Sequence, residues 1–352
     1  AEGQVVKFVK QNNVARKEDD AFIFSSNYPS FIDSLKPEEK VLLDDGNVRL
    51  ICTAVEGENE NKTAICRVET GGLLTSAKGI NLPDTDLTLD SLTDKDLQCV
   101  KFAIEQKFDF LALSFVRKGE DVIKLKEVLK KSGAWIEGKK EINADLGLSA
   151  LPDGAEDIIP VIAKIEKPQA ITNLDDIVKE SDAIMVARGD LGVEMDLADV
   201  AILQKQIIRK CHNMDKPVIV ATQMLQSMID AKTPTRAEVS DVANAIFDGV
   251  DAVMLSGETA VGKHPVEVVK MMNQIAGRTN SYIKRSGLAF EDSGNKQEHI
   301  ADPEAIALGV QTISARIDPA YLVIWTNRGV SAVYLSQRRL PMPLLAFSSV
   351  DS

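Results

Sequence analysis

Two kinds of hydrophobic pattern divide the chain. Up to about residue 83, apolar and polar positions alternate, the period-two mark of half-buried strands. Val48, Leu50, Cys52 and Ala54 alternate after an Asp45-Gly46 turn, and Ala64, Cys66 and Val68 repeat the pattern before Gly71-Gly72. The spacing predicts a small β-barrel or sandwich. Residues 78–84 break the pattern with Gly79 and Pro83, which can serve as a hinge boundary. Beyond them the period lengthens and helices alternate with short apolar runs. A helix is predicted over 92–106, with Thr93 at its start and Leu97, Val100, Ala103 and Ile104 apolar. Further helices are predicted over 121–131, 173–179, 198–211 and 264–275. Another opens at Thr235, where Glu238 completes a capping box; it carries Val239, Val242, Ala243 and Ile246 on one face and closes at Gly249. A buried strand is expected over 108–115, and further strands over 161–166, 183–186, 218–223 and 252–257.

The result is a β/α unit repeated five times. Each strand ends in polar or small residues: Ser114, Glu166, Asp190, Thr222-Gln223 and Ser256-Gly257-Glu258. A (β/α)8 barrel places its active site at such ends. A doubly wound sheet is the other arrangement the pattern allows, and five units are too few to close a barrel of eight. Residues 132–158 are polar and glycine-rich and read as an insertion without recognisable chemistry. After Gly287 a polar linker leads to a helix over 304–315, a strand over 321–325, a helix over 331–339 and the start of a second strand, the opening of a further α/β domain.

Composition narrows the functional classes. The 352 residues are 44% hydrophobic and 27% charged, ample for two or three domains. A net charge of −12 argues against a nucleic-acid or anionic-membrane surface, so an anionic substrate needs local positive charge or a metal. No apolar run approaches the ~20 residues of a membrane span, and the N-terminus lacks a signal-peptide pattern. Cys52, Cys66, Cys99 and Cys211 are scattered without a CxxC and read as reduced, mostly buried thiols of a cytoplasmic protein. The chain does not begin with Met, so an N-terminal portion is expected upstream.

Chemistry concentrates in residues 161–190. Lys164 and Glu166 are two apart on one strand and share a face at its C-terminal end. The next strand ends in Ala187-Arg188-Gly189-Asp190-Leu191-Gly192. A parallel sheet puts both ends on one side, where one ammonium and two carboxylates converge. Two carboxylates suit Mg2+, which keeps few protein ligands and shares the rest with substrate oxygens. Gly189 lets backbone N–H groups approach a carboxylate or phosphate at a helix start. A capping ion pair is the structural alternative for Lys164 and Glu166.

The chain resembles pyruvate kinase in a co-linear series of stretches over about residues 40–275: LLDDG, KGINLP, SFVRK with Asp121-Val122, AKIEK, IMVARGDLGVE, KPVIVATQML, PTRAEVSDVANAIFDG and VMLSGETAVGKHPVEVV. The resemblance implies a (β/α)8 barrel with a β-rich lid inserted after its third strand and a C-terminal α/β domain. Residues 1–83 then correspond to the lid, 84–285 to barrel strands four to eight, and 286–352 to a linker and the start of the C-terminal domain. The family's first three barrel strands carry a phosphate-binding arginine and the ligands of a monovalent cation, and no stretch here matches them. The C-terminal half that binds effectors is likewise unmatched.

The resemblance also implies an activity, Mg2+- or Mn2+-dependent phosphoryl transfer from phosphoenolpyruvate to ADP giving pyruvate and ATP, the last step of glycolysis. It implies K+ as a further cofactor whose ligands are absent here, and a cytoplasmic homotetramer that binds neither nucleic acid nor membrane. By position Lys164 resembles the lysine that stabilises the transferring phosphoryl, Glu166 and Asp190 the metal ligands, and the Gly189–Asp190 backbone the carboxylate cradle. Thr222 resembles a group near the enolate, Ser256 a proton relay, and Lys78 a lid lysine that contacts nucleotide phosphates. Arg236 and Glu238 are expected to organise a helix and a subunit contact, and Arg117 and Lys118 to add positive charge or lie in a solvated loop. Two other functions compete: a catalytically inactive homologue, and a metal-dependent pyruvate or oxaloacetate lyase on a related barrel. Without the phosphate-binding arginine and the cation site, this chain alone is expected to catalyse poorly.

Overall fold

The computed structural model describes residues 1–11, 14–85, 91–132, 159–286, 302–317, 319–326, 329–338, 340 and 342–349. The insertion expected at 132–158 lies, apart from Ser132, outside the described residues, as does the linker expected after residue 286, up to residue 301.

Seven strands form the first sheet: β1 (Val5–Val9), β2 (Arg16–Glu18), β3 (Ala21–Ser25), β4 (Lys40–Leu43), β5 (Val48–Glu56), β6 (Thr63–Thr70) and β7 (Ile80–Asn81), in the order β2-β3-β1-β6-β5-β4-β7. Only β1 and β3 pair in parallel. The alternation on β5 and β6 works as expected: Val48, Leu50, Cys52, Ala64, Cys66 and Val68 are buried together with Val6, Phe8, Phe31 and Ile32. Phe8 meets Phe31 edge to face, ring centroids 5.5 Å apart. Ala54 departs from the pattern and is only half-buried, because a register shift between Cys52 and Ala54 turns it out of phase. In the hairpin between β4 and β5, Asp44, Asp45 and Gly46 all take left-handed backbone, with φ of 53°, 54° and 79°. Asp is among the few residues besides Gly that tolerate this region.

The second sheet is entirely parallel: β8 (Leu111–Leu113), β9 (Val161–Ile165), β10 (Ala183–Ala187), β11 (Val218–Ala221) and β12 (Ala252–Met254), in the order β12-β11-β10-β9-β8. Sequence neighbours are spatial neighbours throughout. Crossing helices include Gly119–Lys131, Leu174–Glu180, Val200–Asn213, Arg236–Phe247 and Pro265–Ser286. Val161, Ala163, Ile165, Ile184, Val186, Val218 and Val220 join Leu125, Leu129, Ile177, Ile207, Ile208 and Val242 of the helices in one core. The opposite face buries Ile162, Ala183, Met185 and Ala221 in a smaller cluster. Burial on both faces explains why β9, β10 and β11 read as largely apolar runs, while the edge strands β8 and β12 are partly exposed.

Local signals place the helix starts. Thr93 accepts from the Asp96 N–H while Asp96 accepts from the Thr93 N–H, and Thr235 and Glu238 do the same for the helix Arg236–Phe247. Gly249, with φ of 88°, follows that helix as expected. The helix predicted over 264–275 runs on to Ser286, because Val268, Met272, Ile275 and Thr279 keep one buried stripe past Gly277.

The buried strand expected over 108–115 is a correction. Only Leu111–Leu113 is extended, and Phe108, Phe110 and Phe115 are 48%, 57% and 53% exposed. Lys107 and Phe115 both turn left-handed, with φ of 53° and 56°, which ends the extended backbone on each side. β8 is also the edge of its sheet. Near the C-terminus, β13 (Leu322–Trp325) and β14 (Leu344–Phe347) pair in parallel beside the helices Asp302–Ile317 and Val330–Gln337. No helix among the described residues is long and apolar enough to cross a membrane.

Candidate active site at the ends of the parallel strands

Parallel pairing carries the C-terminal ends of β8 to β11 to one side, with Lys164 opposite Met185 and Ala187 opposite Ala221. Lys164 and Glu166 meet there, as their spacing requires. The Lys164 ammonium lies 2.6 Å from Glu166 Oε1 and donates to Ser114 Oγ at 3.0 Å. Glu166 Oε2 accepts from the Phe115 N–H at 2.6 Å. The left-handed turn at Phe115 thus gives the buried carboxylate a backbone donor.

Oε1 is different: it is buried and has no aligned hydrogen-bond donor despite the ammonium nearby. Burial pushes the Glu166 carboxyl above its ordinary range. The adjacent Lys164 ammonium and the Phe115 hydrogen bond pull it back, and the Asp190 charge adds to the rise. An under-satisfied buried oxygen beside a second carboxylate fits a divalent cation that needs few protein ligands. Among the described residues no group of three or more His, Cys, Asp or Glu could hold a metal, so a cation here would rest on Glu166 and Asp190.

One strand over, the helix Arg188–Glu194 begins directly where β10 ends. The Gly189 N–H donates to Thr222 Oγ1 at 2.7 Å, and Thr222 in turn donates to the Ala221 carbonyl at 2.6 Å. A Cβ on residue 189 would sit 3.2 Å from Thr222 Oγ1, so glycine permits this close approach. Thr222 and Gln223 are themselves left-handed, with φ of 70° and 55°. For a β-branched residue this is a genuine outlier, and such positions cost about 1–3 kcal/mol each.

Arg188 explains how the turn persists. Its nearly buried guanidinium donates from Nη2 to the Thr222 carbonyl at 3.1 Å and the Gln223 carbonyl at 3.2 Å, while Nη1 pairs with Asp241 at 2.6 Å. Sequence spacing assigns Arg188 no role. The available signal was an arginine placed directly after a fully apolar strand, where burial forces it to find partners.

The other candidates have different surroundings. Ser256 follows β12, and its hydroxyl is buried without a hydrogen-bond partner. Its N–H donates to Glu258, which also accepts from the Leu225 N–H. Lys78 precedes β7 in the first sheet, ion-paired with Asp44 at 2.6 Å and partly exposed. Arg117 lies 3.8 Å from Asp121, and Lys118 stands at the N-cap of the helix Gly119–Lys131. Glu194, the last residue of the helix Arg188–Glu194, is ion-paired with Lys167 and accepts from Asn81 of β7 at 2.8 Å.

Consecutive parallel strands, each followed by a helix and carrying polar groups at its C-terminal end, define a protein of the (β/α)-barrel type. Residues 1–153 and 149–269 match the pyruvate kinase barrel domain. A pyruvate kinase from Geobacillus stearothermophilus is 40% identical over 328 residues, 93% of this chain and 51% of the relative. One from Thermotoga maritima is 39% identical over 326 residues, 93% of this chain and 63% of the relative. A crystal structure of a pyruvate kinase from Cryptosporidium parvum superposes with a TM-score of 0.84 at 31% identity, covering 99% of this chain and 66% of that one. The chain belongs to the pyruvate kinase family and spans between half and two thirds of the length of these relatives.

Proposed function

We propose that the protein carrying this chain is a pyruvate kinase, transferring a phosphoryl group from phosphoenolpyruvate to ADP. The observation that carries the reading is the meeting of Lys164 with Glu166, next to the Gly189–Thr222 contact, at adjacent parallel strand ends. Phosphoryl transfer asks for positioning and electrostatic stabilisation more than covalent chemistry from the protein. In this reading Glu166 and Asp190 would hold Mg2+ or Mn2+, which would supply neutralisation of the negative charge on the substrate oxygens. The Lys164 ammonium stabilises the transferring phosphoryl. The backbone at Gly189 and Asp190 receives the substrate carboxylate. Thr222 Oγ1 faces the enolate left when the phosphoryl departs, and Ser256 contributes its unpaired hydroxyl to protonation of that enolate. Lys78 contacts the nucleotide phosphates after exchanging its Asp44 partner.

Residues 1–83 act as a lid that excludes water from the transfer. The separate seven-stranded sheet and its Asn81–Glu194 contact support that role. K+ dependence, a cytoplasmic location and a homotetramer follow from the family and belong to the same proposal. The test is a coupled assay of pyruvate formation with the upstream barrel strands present. Turnover requiring phosphoenolpyruvate, ADP and Mg2+, and falling at least a hundredfold in Lys164→Met, is the expected result. No pyruvate formation from that protein would overturn the proposal.

A further inference from the structure

We infer that Arg188 is a positioning residue, one whose guanidinium holds the left-handed Thr222–Gln223 turn and thereby sets the direction of Thr222 Oγ1. Three independent features meet at this side chain. The first is its place: Arg188 is 9% exposed, with its charge met by Asp241 at 2.6 Å and its Nη1 facing Gln204 at 3.4 Å. The second is its fork. Nη2 donates to the carbonyls of both Thr222 and Gln223, and Nε lies 3.4 Å from the Thr222 carbonyl. The third is its target. These two residues have adjacent positive φ angles, and one of them is β-branched.

A strained conformation persists only when its surroundings over-determine it. The planar guanidinium does so because its donors are fixed relative to one another and it stays charged. An ammonium in its place could still pair with Asp241, but its three donors radiate from one atom and would not hold that carboxylate and both carbonyls where the guanidinium's separate nitrogens reach them. Asp241 is itself 42% exposed, so the ion pair anchors the guanidinium rather than providing the restraint on the turn. Arg188 also adjoins Gly189, whose N–H donates to Thr222 Oγ1. The arginine therefore fixes the acceptor from the carbonyl side while the next residue's amide meets it from the hydroxyl side.

The role assigned to Thr222 Oγ1 rests on the pyruvate kinase reading; the restraint on the turn does not. The test has two arms for that reason. In the first, hydrogen exchange at the Gly189 amide is followed in this chain, with Arg188→Lys as the main variant and Thr222→Val, which removes the acceptor, as the reference. Arg188→Lys is expected to speed Gly189 exchange tenfold or more, approaching Thr222→Val, while amides of the helix Val200–Asn213 keep their protection. Unchanged exchange at Gly189, or equal loss of protection throughout the core, overturns the proposal whatever the activity.

The second arm is kinetic, in the protein with its upstream strands. Arg188→Lys is expected to lower kcat tenfold or more, with KM for ADP within about twofold. The same change made in Thr222→Val is expected to lower kcat less than threefold further, the non-additivity of residues acting as a unit. Equal losses in both backgrounds overturn the proposal. Absence of any pyruvate formation in the unaltered protein overturns the functional reading instead, and the exchange result then decides the role of Arg188 alone.

Discussion

Replacing Glu166 with Gln separates what this carboxylate does for the fold from what it does for a ligand. The amide keeps the size and one acceptor oxygen, so its carbonyl can still take the Phe115 N–H now held at 2.6 Å by Oε2. The amide nitrogen must then face the Lys164 ammonium in place of Oε1, at the present spacing of 2.6 Å. Breaking a fully buried ion pair typically costs about 3–5 kcal/mol. Two features reduce that here. The Lys164 side chain is 23% exposed and can rehydrate, keeping Ser114 as a partner. Burial already pushes Glu166 toward its neutral form, so a neutral amide relieves that penalty. The net change in stability is expected to stay within about 2 kcal/mol. Cation binding is expected to behave differently, since one of the two proposed carboxylate ligands is lost and the amide directs N–H groups toward the vacated position. Affinity for Mn2+, followed by the spin resonance of free Mn2+, is expected to fall well over tenfold, more than about 1.4 kcal/mol. A melting temperature measured alongside shows that the loss is not unfolding. Unchanged Mn2+ affinity in a folded Glu166→Gln variant would refute the assignment of Glu166 as a ligand.

Gly189→Ala would place a methyl 3.2 Å from Thr222 Oγ1; pyruvate formation is expected to fall tenfold or more with little loss of melting temperature, checked by both measurements. Glu238→Ala removes an acceptor that serves Ser227 N, Ser227 Oγ, Thr235 N and Thr235 Oγ1, and denaturant unfolding is expected to show a loss of about 1–3 kcal/mol. Burial would raise the Glu238 carboxyl, but those bonds outweigh it and hold the folded value below the ordinary 4.5. Its stabilisation is therefore complete above that pH and fades as pH falls through the lowered value, and urea midpoints between pH 7 and pH 3 should fall less steeply in Glu238→Gln. Lys78→Met removes a lysine paired only at the surface; KM for ADP is expected to rise several-fold with an unchanged melting temperature, and an unchanged KM would detach Lys78 from nucleotide binding.

Local chemistry was legible in the sequence because its causes are local. The Thr93 and Thr235 boxes join residues three apart, so the letters alone announce two helix starts. The alternation through Val48, Leu50 and Cys52 and the apolar runs around Ile165 and Val186 record how many faces each strand buries. Lys164 and Glu166 could be paired from spacing alone, since a strand repeats every two residues. Other features depend on what chain folding brings alongside. The run from Phe108 to Phe115 is as apolar as its neighbours, yet it lies at a sheet edge between two left-handed residues, and only three of its residues are extended. Asp44 takes Lys78 as its ion-pair partner from 34 residues away, which no spacing rule indicates. Arg188 and the Thr222–Gln223 turn are likewise 34 and 35 residues apart, and meet only because β10 and β11 pair in parallel with Ala187 opposite Ala221. Nor does any letter encode a positive φ at a threonine. That conformation exists because a buried guanidinium and a glycine amide arrive from the neighbouring strand and hold it, and only tertiary packing supplies both.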